Sequence, residues 1–413
     1  MVRLRQQFER PRVEDIPGTI RSQLERLKLG NTIKAGQTVA LTAGSRGIAN
    51  IPVVLRTVVE HLKGLGAKPY LVPTMGSHGG GTAEGQREVL ESYGITEAFV
   101  GAPIKASMEV IDLGNCDVGH TVYLDKHASE ADHIGVVARI KPHTNFQGPI
   151  ESGFCKMMMI GLGKHVGALA AHRILLEQPY DQVVRSVART MLAKGKIAFG
   201  LGLVENSYDD TALIEAVNPA DIFTREEALL VKARQWLPRL PYKEADLLIV
   251  DEIGKEISGS GMDTNVVGRK RAIRSHSLNN QPSMRFIFVR GLSAHTHGNA
   301  SGIGLADFTT TRLVKAMNYK ATVINCLTAG YPDSANTPVH FDTDREVIEA
   351  ALKIIGTRPA EEARVMHIRN TLKVEEVEVS EACLTVRHSP AEFTVLGSPK
   401  PMEFDKDDNM VPI

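Results

Sequence analysis

The sequence lacks the features that would tie it to a nucleic acid, a membrane or a covalent framework. Acidic and basic side chains balance at 48 each, with no block of like charge; a phosphate backbone or an anionic membrane as the main partner would require one. No stretch approaches the roughly 18 apolar residues of a membrane span. The N-terminal "MVRLRQQFERPRVEDIPG" is charged and has no apolar core, so no signal peptide is readable and a cytoplasmic location is expected. The four cysteines, Cys116, Cys155, Cys326 and Cys383, show no C-x-x-C spacing, which disfavours a zinc ribbon, an iron-sulfur cluster or a disulfide framework and leaves buried thiols. Aromatics are only 5% while glycines number 36. That balance gives too few rings for a base-stacking surface and many places where the backbone turns tightly or approaches a ligand. The expected partner is a small molecule, and a homo-oligomer is left open.

What is present is short apolar runs alternating with amphipathic segments, the pattern of βα units around a mostly parallel sheet. "TVALTAG" reads as a strand ending in a glycine turn, followed by the helix "IPVVLRTVVEHLKGLG" closed by Gly66. "KPYLVPTMGSHGGG" repeats the design, and its helix is capped by Thr82. "DHIGVVARIKPH" and "KIAFGLGLVEN" are further strands. The helix "IFTREEALLVKARQWLPRLP" ends in a Pro-rich stretch that reads as a linker. A second series follows with "ADLLIVDEIG", "MRFIFVRG", "TVINCLT" and a helix opened by a capping box at Thr343 and Glu346 and closed by Gly356. Two α/β domains with mostly parallel sheets are expected, residues 1–242 and 243–413, with the active site in the cleft between them. The last roughly 45 residues alternate like strands and are free to rejoin the first domain.

In parallel α/β sheets, ligands bind at the carboxyl ends of strands. Three glycine-bearing loops fall at such ends, "TAGSRG", "TMGSHGGG" and "RIKPHTNFQG", delivering Arg46, His78 and His143. Downstream, "ESGFCKMMMIGLGKHVGALAAHR" places Lys156 between Cys155 and three methionines, with His172 sixteen residues further on. Burying an ammonium there costs several kcal/mol unless it is paired or chemically used. A straight helix would separate Lys156 and His172 by about 24 Å, too far for one small ligand. Glycines 161, 163 and 167 offer the break that lets the chain double back. A Met-rich core segment with Lys156 reaching out to solvent and His172 near a helix end is the plainer alternative.

The order Arg46, "GSH" with His78, "KPH" with His143, "ESGFCK" with Lys156, then His172 resembles the nickel-dependent lactate racemase family. The resemblance spans about residues 40 to 175 and extends to "SGSGMDTNVVGRKR", similar to a family loop carrying D-x-N and a substrate-binding cation. It implies a tethered nickel pincer nucleotide, the pyridinium-3-thioamide-5-thiocarboxylic acid mononucleotide with Ni(II), bound in the first domain. By that resemblance Lys156 is the covalent tether, His172 the protein ligand to nickel, and Gly44, Ser45 and Arg46 cofactor-binding. His78 and His143 form the acid/base pair on opposite faces of the substrate, and Arg46, Asn145, Arg269 and Arg271 contact substrate. Condensation of the Lys156 amine into a thioamide would remove its charge, which suits the apolar neighbours.

This chain departs from the family pattern in three respects. Ala43 stands where the family has an acidic residue, three more residues separate His143 from Lys156, and Phe154-Cys155 replace small glycines. A reshaped pocket mouth and the extra cations at Arg269 and Arg271 favour a malate-like dicarboxylate over lactate, with a sugar acid next. The expected activity is racemisation or epimerisation of a 2-hydroxy acid. The rival readings are a divalent-metal hydrolase built on His78, His143 and His172, or a nucleotide-binding protein without the pincer cofactor. His165, His295 and His297 are expected to be surface or structural.

Overall fold

The computed structural model describes residues 1–44, 47–270, 282–386 and 392–413. It divides into two compact units, Arg10–Leu237 and a second made of Met1–Glu9 with Pro238–Ile413. The division falls within the Pro-rich stretch at 237–241, and the first nine residues leave the unit to which a boundary after residue 242 would assign them.

The unit Arg10–Leu237 is built on a five-stranded sheet in the order Lys68–Pro73, Thr38–Ala43, His133–Arg139, Ile197–Glu205, Thr211–Val217. The first four strands are parallel and the last is antiparallel. The inner strands read as continuous apolar runs because both faces are covered. Val39, Leu41 and Leu71 point into one core with Ile20, Val54, Val58 and Leu90. Ala40, Tyr70 and Val72 point into the other with Phe154, Val183, Val187 and Leu229. The period-two alternation thus divides each strand between two layers of helices.

One feature of this sheet positions the chemistry. A methyl group added at Gly200 would lie 2.9 Å from the Phe154 ring, and one at Gly202 would lie 3.0 Å from it. The two glycines leave a slot in the sheet surface, and the fully buried Phe154 fills it. Phe154 opens the short helix Phe154–Lys156, so the slot anchors the start of the segment that carries Lys156.

The second unit holds an eight-stranded sheet. Its parallel half runs Val339–Phe341, Phe308–Thr310, Ser283–Leu292, Glu244–Ile253, Val365–Ile368. The antiparallel half continues with Glu376–Val379, Val2–Gln7 and Glu392–Val395. The N-terminal strand is hydrogen-bonded between two strands from the end of the chain, which draws Met1–Glu9 into this unit. "TVINCLT" is not a strand: it lies in the helix Tyr319–Thr328, capped by the Asn318 side chain on the Ala321 N–H. A short apolar run with β-branched residues reads alike in either state, and here the cap decides. The capping box at Thr343 and Glu346 forms with both of its reciprocal bonds. Among the described residues no helix is long and apolar enough to cross a membrane.

Gly200→Ala should overpack the Phe154 slot, because the ring is enclosed and the new methyl has nowhere to go. A loss of about 1–3 kcal/mol in urea unfolding is expected, and replacing Phe154 by Leu in the same chain should recover part of it.

Candidate active site

The stretch between Lys156 and His172 doubles back. After Phe154–Lys156 the backbone widens into a π-helical turn, Met157–Gly161, a geometry often found where a helix serves a site. It then breaks at Gly163 and restarts as the helix Lys164–Ile174. Gly163 has room for no side chain, since a methyl there would lie 2.4 Å from the Met159 carbonyl. The residue in the left-handed region is Lys164, at φ 55°, not a glycine. The break brings Lys156 and His172 into one electrostatic neighbourhood. Burial pushes the His172 pKa down to about 4, with the Lys156 ammonium adding to the shift. His172 is therefore a neutral imidazole at physiological pH, the form able to donate to a metal.

The loops after the parallel strands converge on this segment. A methyl on Gly44 would lie 3.3 Å from Met157 Cε, and one on Gly76 would lie 3.1 Å from Ile160. The Gly79–Gly81 turn that follows His78 sits beside His165, with a methyl on Gly81 3.9 Å from the His165 Nδ1. That nitrogen is buried and has no hydrogen-bond partner among the described residues. His78 lies at the entrance to that turn, and its carbonyl, with that of Gly76, accepts from the Gln86 amide.

Behind these loops is a fully buried ammonium that sequence reasoning missed. Lys164 Nζ donates to the Pro73 carbonyl at 2.7 Å and to Gln86 Oε1 at 2.6 Å, and lies 3.5 Å from Asp125 Oδ2. Burial lowers the Lys164 pKa and raises that of Asp125, in each case against the pull of the partner's charge. Lys156, the lysine that draws attention in the sequence, is only partly buried. The signal for Lys164 was its place between Gly163 and Gly167 in "GLGKHVG", where a flexible turn and a cation coincide.

The third loop is held by hydrogen bonds to its own backbone and by ring stacking. The His143 N–H donates to Glu151 Oε2 at 2.6 Å, and the His143 Nδ1 accepts from the Asn145 and Phe146 N–H groups. Asn145 thus serves through its backbone. The His143 ring stacks on Phe146, which stacks on Tyr180. At the far end of the loop a second buried carboxylate, Glu226, accepts the Cys155 N–H at 2.9 Å. Burial raises the Glu226 pKa to about 7 against those hydrogen bonds and the Arg185 charge.

Gly44, His78, His143, Asn145, Lys156 and His172 all belong to the unit Arg10–Leu237. Ser45, Arg46 and Arg271 lie outside the described residues. Arg269 belongs to the other unit. Its two terminal nitrogens are taken by Asp307, at 3.0 and 2.6 Å, and by the carbonyls of Leu305, Met284 and Arg285. With those N–H groups used, the forked guanidinium has no pair left for a substrate carboxylate. His295 and His297 are exposed. No group of three or more His, Cys, Asp or Glu able to hold a metal occurs among the described residues.

No protein-family model matches the sequence, and no curated protein is similar to it by sequence. Solved structures are similar in fold. The lactate racemase apoprotein from Thermoanaerobacterium thermosaccharolyticum superposes with a TM-score of 0.51 at 13% identity, over 90% of this chain and 93% of that one. A structural-genomics target from Thermotoga maritima does so with a TM-score of 0.50 at 12% identity, over 80% and 84%. The chain is an α/β protein with a lactate-racemase-like fold.

Glu226 gives a pH-dependent prediction. Its pKa rises from 4.5 to about 7 on folding, so the folded state binds its proton more tightly than the unfolded one. The associated stability is present below the unfolded pKa and is lost as pH rises through about 7, by up to about 3 kcal/mol. Glu226→Gln mimics the protonated acid. It should match wild type at pH 5 and exceed it at pH 8 in urea unfolding; equal stability at both would refute the assignment.

Proposed function

We propose that the chain is an isomerase, a racemase or epimerase of a 2-hydroxy acid that uses a nickel pincer nucleotide held on Lys156. The observation that carries the reading is the broken segment in which the Lys156 ammonium is felt by the neutral imidazole of His172, with the loops bearing Gly44 and Gly76 packed against Met157 and Ile160. A lactate-racemase-like fold supports it. The residues fit the cofactor: a partly buried amine beside methionines in the chain would suit a neutral amide-like linkage, and the desolvated neutral imidazole of His172 would be able to donate to Ni(II). One protein ligand is then sufficient, consistent with the lack of a multi-residue metal cluster among the described residues. When bound, the group supplies a hydride acceptor and donor for C2 of the substrate.

The chain's own residues do the rest. His172 and Lys156 hold the group in place. The His78 and His143 loops meet the substrate hydroxyl and manage its proton, and the rigid His143–Glu151 loop shapes the mouth. A malate-like dicarboxylate is the preferred substrate, on the strength of the lengthened loop after His143.

Lys156→Ala should fold normally yet carry no covalent adduct by intact mass and show no racemisation after cofactor loading, whereas wild type should show both. Full activity without Lys156 would remove the tether. A panel of enantiopure 2-hydroxy acids decides the substrate, and a preference of about tenfold or more for lactate over malate in kcat/KM would set the dicarboxylate aside.

A further inference from the structure

The loop that bears His78 has little shape of its own. Four of the six residues from Gly76 to Gly81 are glycines, each at a φ between 58° and 67°, a conformation that glycine enters and leaves at little cost. A histidine that moves a proton needs a fixed place, and Gln86, on the helix Ala83–Ser92, supplies a restraint from outside the loop. Its side chain is fully buried. Its amide nitrogen donates to the Gly76 carbonyl at 2.9 Å and to the His78 carbonyl at 3.3 Å. The loop also lies directly on the start of that helix, since a methyl on Gly79 would be 2.6 Å from the Gln86 backbone nitrogen.

The direction of the amide is settled by a cation. An ammonium has only donors, so Lys164 Nζ, 2.6 Å from Gln86 Oε1, turns the amide oxygen to itself and leaves both amide hydrogens for the loop. Every polar group of the Gln86 side chain is thereby committed. Lys164 donates as well to the Pro73 carbonyl at 2.7 Å. It opens the helix that carries His172, shortly after the π-helical turn that follows Lys156. One amide thus joins the segment holding Lys156 and His172 to the loop holding His78.

We infer that Gln86 is a positioning residue for proton transfer at His78: through Lys164 it ties the backbone of the His78 loop to the segment that holds the cofactor. Gln86 makes and breaks no bond in the reaction. Its contribution is alignment, and a misplacement of about 1 Å near reacting atoms can cost about a hundredfold in rate. The chemical half of the inference rests on the 2-hydroxy-acid reading, whereas the restraint on the loop does not.

The test has two arms and two variants. Gln86→Glu keeps the side-chain length and an acceptor for Lys164, but turns a carboxylate oxygen toward the Gly76 and His78 carbonyls in place of the donors. Gln86→Met keeps the volume and removes donors and acceptor alike. Hydrogen–deuterium exchange of the full-length protein should show the amides of residues 76–82 exchanging at least about tenfold faster in both variants, with the strands Thr38–Ala43 and His133–Arg139 unchanged. Unchanged exchange at 76–82, or an equal acceleration in those strands, would overturn the restraint. In the cofactor-loaded enzyme Gln86→Glu should carry the Lys156 adduct at wild-type occupancy by intact mass and lose kcat by about tenfold or more, with KM within about threefold. Because proton transfer is slowed relative to hydride transfer, the solvent deuterium isotope effect on kcat should rise and the effect of C2-deuterated substrate should fall. A wild-type kcat, or a lowered kcat with both isotope effects unchanged, would overturn the positioning role. If wild type turns over no 2-hydroxy acid, the proposed function fails, and the exchange arm still decides what Gln86 restrains.

Discussion

The fully buried ammonium of Lys164 is the constraint that assembles the site. It sits where the chain turns from the π-helical segment into the helix bearing His172, in a left-handed conformation that costs a lysine about 1–2 kcal/mol. Its bonds to the Pro73 carbonyl and Gln86 hold that turn against the end of the strand Lys68–Pro73 and the helix that follows. Gln86 passes the restraint on to the carbonyls of Gly76 and His78. One cation therefore couples the positions of His78, Lys156 and His172. Buried ion pairs rarely repay their desolvation, and removing one partner typically costs 3–5 kcal/mol because the other is left uncompensated. The Lys164–Asp125 pair is better understood as a device for geometry than as a source of stability, since burial works against the charge on each partner.

A second constraint is steric and explains a departure that the sequence shows only as a difference. Where the resembling family carries small glycines before its lysine, this chain carries Phe154-Cys155. The glycines that make room for the ring are Gly200 and Gly202, on the strand beneath. Cys155 is buried beside Glu226, whose carboxylate anchors the start of the helix. The lysine is thus presented from a segment anchored by a buried ring on one side and a buried carboxyl on the other.

Much of the fold is legible in the sequence because its signals are local. The strands Thr38–Ala43, Lys68–Pro73 and His133–Arg139, the Thr82 cap and the Thr343 capping box follow from apolar runs, glycine turns and cap residues. Signals that depend on distant partners are not legible. The N-terminal strand cannot be placed without the two C-terminal strands it pairs with, and "TVINCLT" turns helical because Asn318 caps it. The same division holds for the candidate site. The need for a break between Lys156 and His172 follows from helix geometry alone, but the residue that makes it, Lys164, is revealed only by partners far away in the chain, Asp125, Gln86 and Pro73. Arg269 shows the same limit: its pairing with Asp307 is a contact that no spacing rule announces.

The segment joining His143 to Cys155 shows how an irregular loop can be as well defined as a helix. Its two ends are fixed by two buried carboxylates, Glu151 from within the loop and Glu226 from the helix Ile222–Gln235. Each accepts main-chain N–H groups that no helix or sheet would otherwise satisfy. Burying carboxylates is costly, and here the cost is offset by Arg234 on one and by hydrogen bonds on both, with Glu226 held partly protonated near neutrality. The loop's shape therefore depends on charge-assisted bonds to its backbone, made by carboxylates that are themselves buried, and these bonds place His143 as closely as a helix would.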